Sequence, residues 1–187
     1  MNLNLPPKDR VLSPQWRYAV LFALILAAGI CRWLPHPINF TPIGAMALFG
    51  GATYPTRRLA FALPLSALAV GDMATGFHVL MPVVYLSFGA NVLLGRYLRQ
   101  RRTVANTLLA TIAGAIQFFI VTNLATWWVY YPHSSVGLVE CFVAAIPCFQ
   151  NTLAGDATFV SLLFGGLALT EARFPVIRET SLQPAML

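Results

Sequence analysis

Apolar residues run along this chain in six long blocks, separated by short stretches that collect its arginines, prolines and histidines. The blocks extend over about 16–34, 41–54, 59–75, 80–98, 104–128 and 138–170. Most approach the roughly 20 apolar residues that an α-helix needs to cross a hydrocarbon core. The pattern predicts an all-α membrane protein, a six-transmembrane-helix bundle in which residues 1–187 form a single integral membrane domain. The Thr41-Pro42 pair suits a helix start. The second block is short, the third carries Pro64, and Pro147 interrupts the sixth, whose first part is expected to lie at the surface or re-enter. Short and proline-broken spans are tolerated where they line a cavity.

Composition agrees with this class, since 58% of the residues are hydrophobic and 10% are charged, against roughly a quarter charged in a soluble domain. A net charge of +6 would suggest nucleic acid in a soluble chain. Here the basic residues form short clusters between apolar blocks, so they report topology and no nucleic acid is expected. The three cysteines, Cys31, Cys141 and Cys148, form neither an even disulfide framework nor a CxxC pair. The first block could pass for a signal peptide ending at a lipidated Cys31. Ala28-Gly29-Ile30 lacks the small residue expected beside such a cysteine, so the block is read as a retained helix.

Charge orients the bundle, because Lys and Arg stay on the cytoplasmic side. The N-terminus holds Lys8, Arg10 and Arg17, and the second-to-third connection Arg57 and Arg58. The fourth-to-fifth connection holds Arg96, Arg99, Arg101 and Arg102, and the C-terminus Arg173 and Arg178. Only Arg32 falls on the other side, with His36, His78, His133 and the cluster Trp127, Trp128, Tyr130 and Tyr131. Both termini are therefore expected in the cytoplasm, and the chain is placed as a multi-pass protein of the bacterial inner (cytoplasmic) membrane.

Three charges then fall at a common depth. At about 1.5 Å per residue, Asp72 lies about 21 Å beyond Arg58, Arg32 about 22 Å beyond Arg17 and Asp156 about 25 Å from Arg173. Charges in hydrocarbon pair with one another or face a cavity. Either a structural ion pair or the floor of a ligand pocket open to the outside satisfies that rule. The pocket reading takes in Arg32, His36, Asp72, His78, Tyr85, Asn151 and Asp156 as substrate-binding residues. Asn151 and Asp156 belong to the polar run Pro147-Cys148-Phe149-Gln150-Asn151-Thr152-Leu153-Ala154-Gly155-Asp156, which a lipid-facing helix would avoid. Ala19, Ala23 and Ala27 recur every four residues and form one smooth stripe; internal packing and an external partner helix explain it equally well.

The stripe, the size and the six blocks resemble the substrate-binding S components of energy-coupling-factor vitamin transporters. More narrowly, Leu34-Pro35-His36-Pro37-Ile38-Asn39-Phe40-Thr41-Pro42, Gly76-Phe77-His78 with Met81-Pro82-Val83-Val84-Tyr85, and Asn151-Thr152-Leu153-Ala154-Gly155-Asp156 resemble the solitary cobalamin transporter family BtuM. The resemblance spans nearly the whole chain. It implies capture of a vitamin, cobalamin or a related corrinoid first, in a pocket on the periplasmic side. It also implies docking of the Ala19, Ala23 and Ala27 stripe on an energy-coupling transmembrane subunit that works with an ATPase. Cobalamin-specific members can ligate cobalt through a cysteine near the loop before the fourth helix. This chain offers His78 and Leu80 there, leaving His78 as the candidate cobalt ligand of a bound corrinoid. No intrinsic cofactor is expected.

Other readings are an S component for a different small vitamin, a structural assembly subunit, and an intramembrane enzyme. The enzyme would use Cys141 or Cys148 as nucleophile, His133 as base and Arg32 as anion stabiliser. No HxxxH or HExxH spacing supports a metalloprotease, and no P-loop is present, so any ATP use belongs to partners.

Overall fold

The computed structural model describes residues 14–31, 35–174 and 177. These residues form six helices and no strand: α1 Pro14–Cys31, α2 Ile43–Thr53, α3 Arg57–Thr75, α4 Met81–Leu98, α5 Val104–Tyr130 and α6 Ser135–Arg173. Several starts have local causes. Thr103 Oγ1 accepts the Asn106 amide at 3.1 Å, and Ser134 Oγ accepts the Gly137 amide at 3.1 Å. Each thereby satisfies a donor that a helix leaves open at its first turn. Pro82, in the first turn of α4, has no amide to leave unsatisfied.

α2 is the centre of the bundle. Every residue from Ile43 to Thr53 is buried, and the helix packs chiefly against α4, α3 and α6. Its closest neighbour is α4, where a Cβ on Gly51 would overlap the Val92 carbonyl and one on Gly95 would overlap the Leu48 carbonyl. Glycine at both positions lets the two backbones touch. Around this crossing Leu21 and Ile25 of α1, Leu68 of α3, Val92 of α4 and Leu163 of α6 complete the core.

One end of the bundle is held by arginines. Arg96 donates to the carbonyls of Tyr54 and Pro55 at 2.9 and 3.0 Å, and Arg99 also reaches Tyr54 O. These cations meet the carbonyl end of α2, where the helix dipole favours positive charge. Arg17 ties α1 to the end of α6 through Glu171 and the Ile177 carbonyl, both at 2.7 Å.

The sixth helix departs from the expected interruption, since α6 runs unbroken for 39 residues with Pro147 inside it. The proline removes only one amide, the partner of the Val143 carbonyl four residues back. Phe142 and Phe149, on either side of it, both pack on Phe119 of α5, with ring centroids 5.4 and 4.8 Å apart. Both halves of α6 are thus fixed on one neighbour.

α5 and α6 are long and apolar enough to cross a membrane. In α5 the buried positions are Thr111, Gly114 and Ala115, whereas Leu109, Ile112, Ile116, Ile120 and Leu124 are exposed. That arrangement is the inverse of a water-facing amphipathic helix. On α1, Leu21, Ile25 and Ala28 are buried, while Ala19, Ala23 and Ala27 lie on the exposed face with Phe22, Leu26 and Ile30.

Candidate functional site

At the end of the bundle opposite the arginines, loops 35–42 and 76–80 meet α2 to α6 around a cavity of about 400 Å³. The first loop is shaped by its own backbone. Asn39 has φ 64°, a left-handed conformation that asparagine tolerates better than most residues. The Phe40 amide donates to the Pro37 carbonyl and the Thr41 amide to the Asn39 carbonyl, each at 3.0 Å. Asn151 of α6 holds this loop down by donating its amide to the Ile38 carbonyl at 3.0 Å. Asn39 and Thr41 are thereby presented to the cavity.

Two carboxylates face it. Asp156 is 6% exposed and accepts the backbone amide of Ala45, in the first turn of α2. α2 has no capping side chain of its own, its N-cap being Pro42. Asp156 supplies that cap from another helix, and it fits because a Cβ on Gly44 would overlap the carboxylate. Asp72, also 6% exposed, receives the Tyr85 hydroxyl at 2.9 Å. Both buried carboxyl groups are therefore hydrogen-bonded, as burial requires.

The amides are equally constrained. Gln117 donates to Asn91 Oδ1 at 3.0 Å and to the Ser87 carbonyl at 2.8 Å. This orients Asn91 on the cavity wall, while Gly114 opposite leaves it room. Asn123, Thr122 and Thr126 of α5 and Thr152 of α6 add further polar groups. Phe88, Phe118, Phe119 and Phe149 supply the apolar area, Cys148 a thiol and His78 an imidazole. No lysine or arginine lines the cavity among the described residues.

Of the seven residues expected to bind substrate, Asp72, His78 and Asp156 line this cavity. Arg32 lies outside the described residues. Tyr85, Asn151 and His36 are absent from the wall. Tyr85 stands behind Asp72 and fixes it; Asn151 anchors the loop; His36 is exposed, its Nδ1 2.9 Å from the carbonyl of Pro37. Asn151 precedes Thr152 by one residue, and a step of about 100° around the helix turns its side chain from cavity to loop. The residues that sequence reasoning passed over share helical spacing. Phe119, Asn123 and Thr126 recur along α5, and Ala145, Cys148 or Phe149, and Thr152 along α6, one turn before the expected Asp156.

Of the residues in the enzyme reading, Cys141 and His133 make separate contacts, and Arg32 lies outside the described residues. The Cys141 thiol is directed at the Asn123 carbonyl, 3.5 Å away. His133 stacks on Trp128 with ring centroids 4.6 Å apart, and its Nε2 lies 2.9 Å from the Trp128 carbonyl. No group of three or more His, Cys, Asp or Glu side chains that could hold a metal ion occurs among the described residues.

Residues 12–177 match DUF6580, a family of unknown function, and the chain belongs to it. Neither a curated protein nor a solved structure matches the chain.

Proposed function

We propose that this DUF6580 member is a membrane-embedded capture protein that takes a small organic solute of the vitamin class into the cavity beneath loops 35–42 and 76–80. The observation that carries the reading is the cavity itself, with phenyl rings on its walls and hydrogen-bonded Asp72 and Asp156 facing in. A mostly apolar hollow with a few fixed polar groups is the usual build of a small-molecule site. The membrane part of the proposal, six spans with both termini cytoplasmic, is supported by the arginine-held end and by the large apolar side chains exposed on α1 and α5. In this orientation the cavity opens to the periplasmic side.

The volume of about 400 Å³ lies toward the lower end of the roughly 300–1,000 Å³ range of drug-sized sites. Such a hollow encloses a small heterocyclic vitamin whole and a corrinoid only in part. A corrinoid remains the second reading because His78, the imidazole on the wall, stands in the loop where a cobalt ligand is expected. The exposed Ala19, Ala23 and Ala27 stripe supports docking on an energy-coupling subunit, since these alanines leave the helix face smooth beside the buried Leu21 and Ile25.

Calorimetric titration of the purified chain with cobalamin, cobinamide and a set of small water-soluble vitamins tests both readings. Saturable binding of one small vitamin supports the first. Binding of a corrinoid with a visible spectrum that changes in His78→Ala selects the second. A well-folded protein that binds none of these compounds overturns the vitamin assignment.

A further inference from the structure

Two further hollows lie beyond Asp156 toward the arginine end. Gly44, Asn91 and Asp156 also line a much smaller cavity of about 10 Å³. That cavity shares Val160 with a third hollow, a groove of about 560 Å³ open to the outside of the bundle beside the exposed Val104 and Leu108, which reaches Arg102 and Glu171. The order is the same on both flanking helices. Along α5, Thr126 to Phe118 face the first cavity, Gly114 to Ala110 the second, and Leu108 to Val104 the third. Along the antiparallel α6, the sequence runs from Cys148 through Asp156 and Val160 to Glu171. From Thr126 to Thr103 a helix covers about 35 Å, enough to span a hydrocarbon core of about 30 Å.

The middle cavity is a neck, because about 10 Å³ is room for a single water at most. Gly44, Ala45, Ala110 and Gly114 contribute almost no side-chain bulk there, and Asn91 and Asp156 belong to the rim shared with the first cavity, so the apolar closure rests on Leu48 and Val160, beside Thr111. We infer that the α5–α6 seam is a gated passage through the chain, closed at Leu48 and Val160, by which a solute held in the first cavity leaves through the third. The direction of travel rests on the capture reading above; the existence of the passage is testable without the solute.

The experiment uses the full chain in sealed vesicles, probed from either face with the membrane-impermeant thiol reagent methanethiosulfonate ethyltrimethylammonium. Cys31→Ala and Cys141→Ala leave Cys148 as the reporter of the first cavity. Adding Cys148→Ala and Ser161→Cys moves the reporter to the third, which Ser161 lines. The expected result is that Cys148 reacts from the histidine face and the Ser161→Cys thiol from the arginine face. Val160→Gly, and independently Leu48→Ala, should raise the rate of the Ser161→Cys thiol from the histidine face at least tenfold. A Ser161→Cys thiol unreactive from the arginine face would mean that lipid fills the third cavity, and no passage exists. Unchanged rates in both neck variants would overturn it equally. If Cys148 is itself unreactive from the histidine face, the capture reading fails first and the passage with it.

Discussion

Asp156 on α6 caps α2 from outside, its carboxylate accepting the amide of Ala45 in a first turn that has only Pro42 before it. The same carboxylate faces the cavity. Stability and recognition therefore meet in one side chain, and two substitutions separate them. Asp156→Asn keeps an oxygen acceptor for Ala45 and loses the charge, so the protein should fold normally and bind its solute more weakly. Asp156→Ala removes the acceptor and should lower stability by about 1–2 kcal/mol, the range for lost N-caps. Thermal melting in detergent, with binding measured on the folded fraction, distinguishes the two effects.

Asn151→Ala should loosen loop 35–42 by deleting its bond to the Ile38 carbonyl, at a cost of about 1 kcal/mol. Because that loop presents Asn39 and Thr41 to the cavity, affinity should fall without any loss of direct contact from Asn151. His36→Ala, at an exposed loop position, should leave both stability and affinity unchanged. Equal effects of the two substitutions on affinity would contradict the assigned roles.

Gly95→Ala should be severely damaging, because its Cβ would overlap the Leu48 carbonyl at the α2–α4 crossing; overpacking of this kind costs about 1–3 kcal/mol or more. Gly89→Ala, six residues earlier on the same helix, meets only Phe61 Cε1 at 3.7 Å. It should accumulate in the membrane like wild type, which makes it the control for expression.

Ala23→Trp places bulk on the exposed face of α1. If the stripe docks a coupling subunit, uptake in cells should drop while solute binding by the purified protein stays intact. Loss of binding together with uptake would assign the stripe to internal packing instead.

Much of the helical framework was legible in the sequence because apolar blocks and their breakers are local signals. Thr103, Pro82 and the Pro55-Thr56 break mark helix starts close to where the blocks predict them. The unbroken α6 was not legible, because Phe142 and Phe149, on either side of the proline, pack on Phe119, a residue from another helix. Three residues of the cavity wall, Asp72, His78 and Asp156, stand out in the sequence as charged or titratable groups against apolar surroundings. Asn91 and Asn123 do not stand out in this way, because their exposure to the cavity depends on how α4 and α5 pack. Asn151 was assigned to the wall although the neighbouring Thr152 reaches it, since a polar run fixes a region of helix and only rotation about its axis selects the face.

The measurement that bears most directly on solute capture is the small-molecule content of the protein after extraction in mild detergent, compared between wild type and Thr122→Phe. Thr122 lines the cavity on α5, and a phenyl group there fills space without touching Asp72 or Asp156 chemically. Mass spectrometry should find one organic solute accompanying well-folded wild-type protein, and Thr122→Phe should retain its fold while losing most of that solute. A folded wild-type protein that carries no solute, or a Thr122→Phe variant that carries it at undiminished occupancy, would contradict the assignment of this cavity as the binding site.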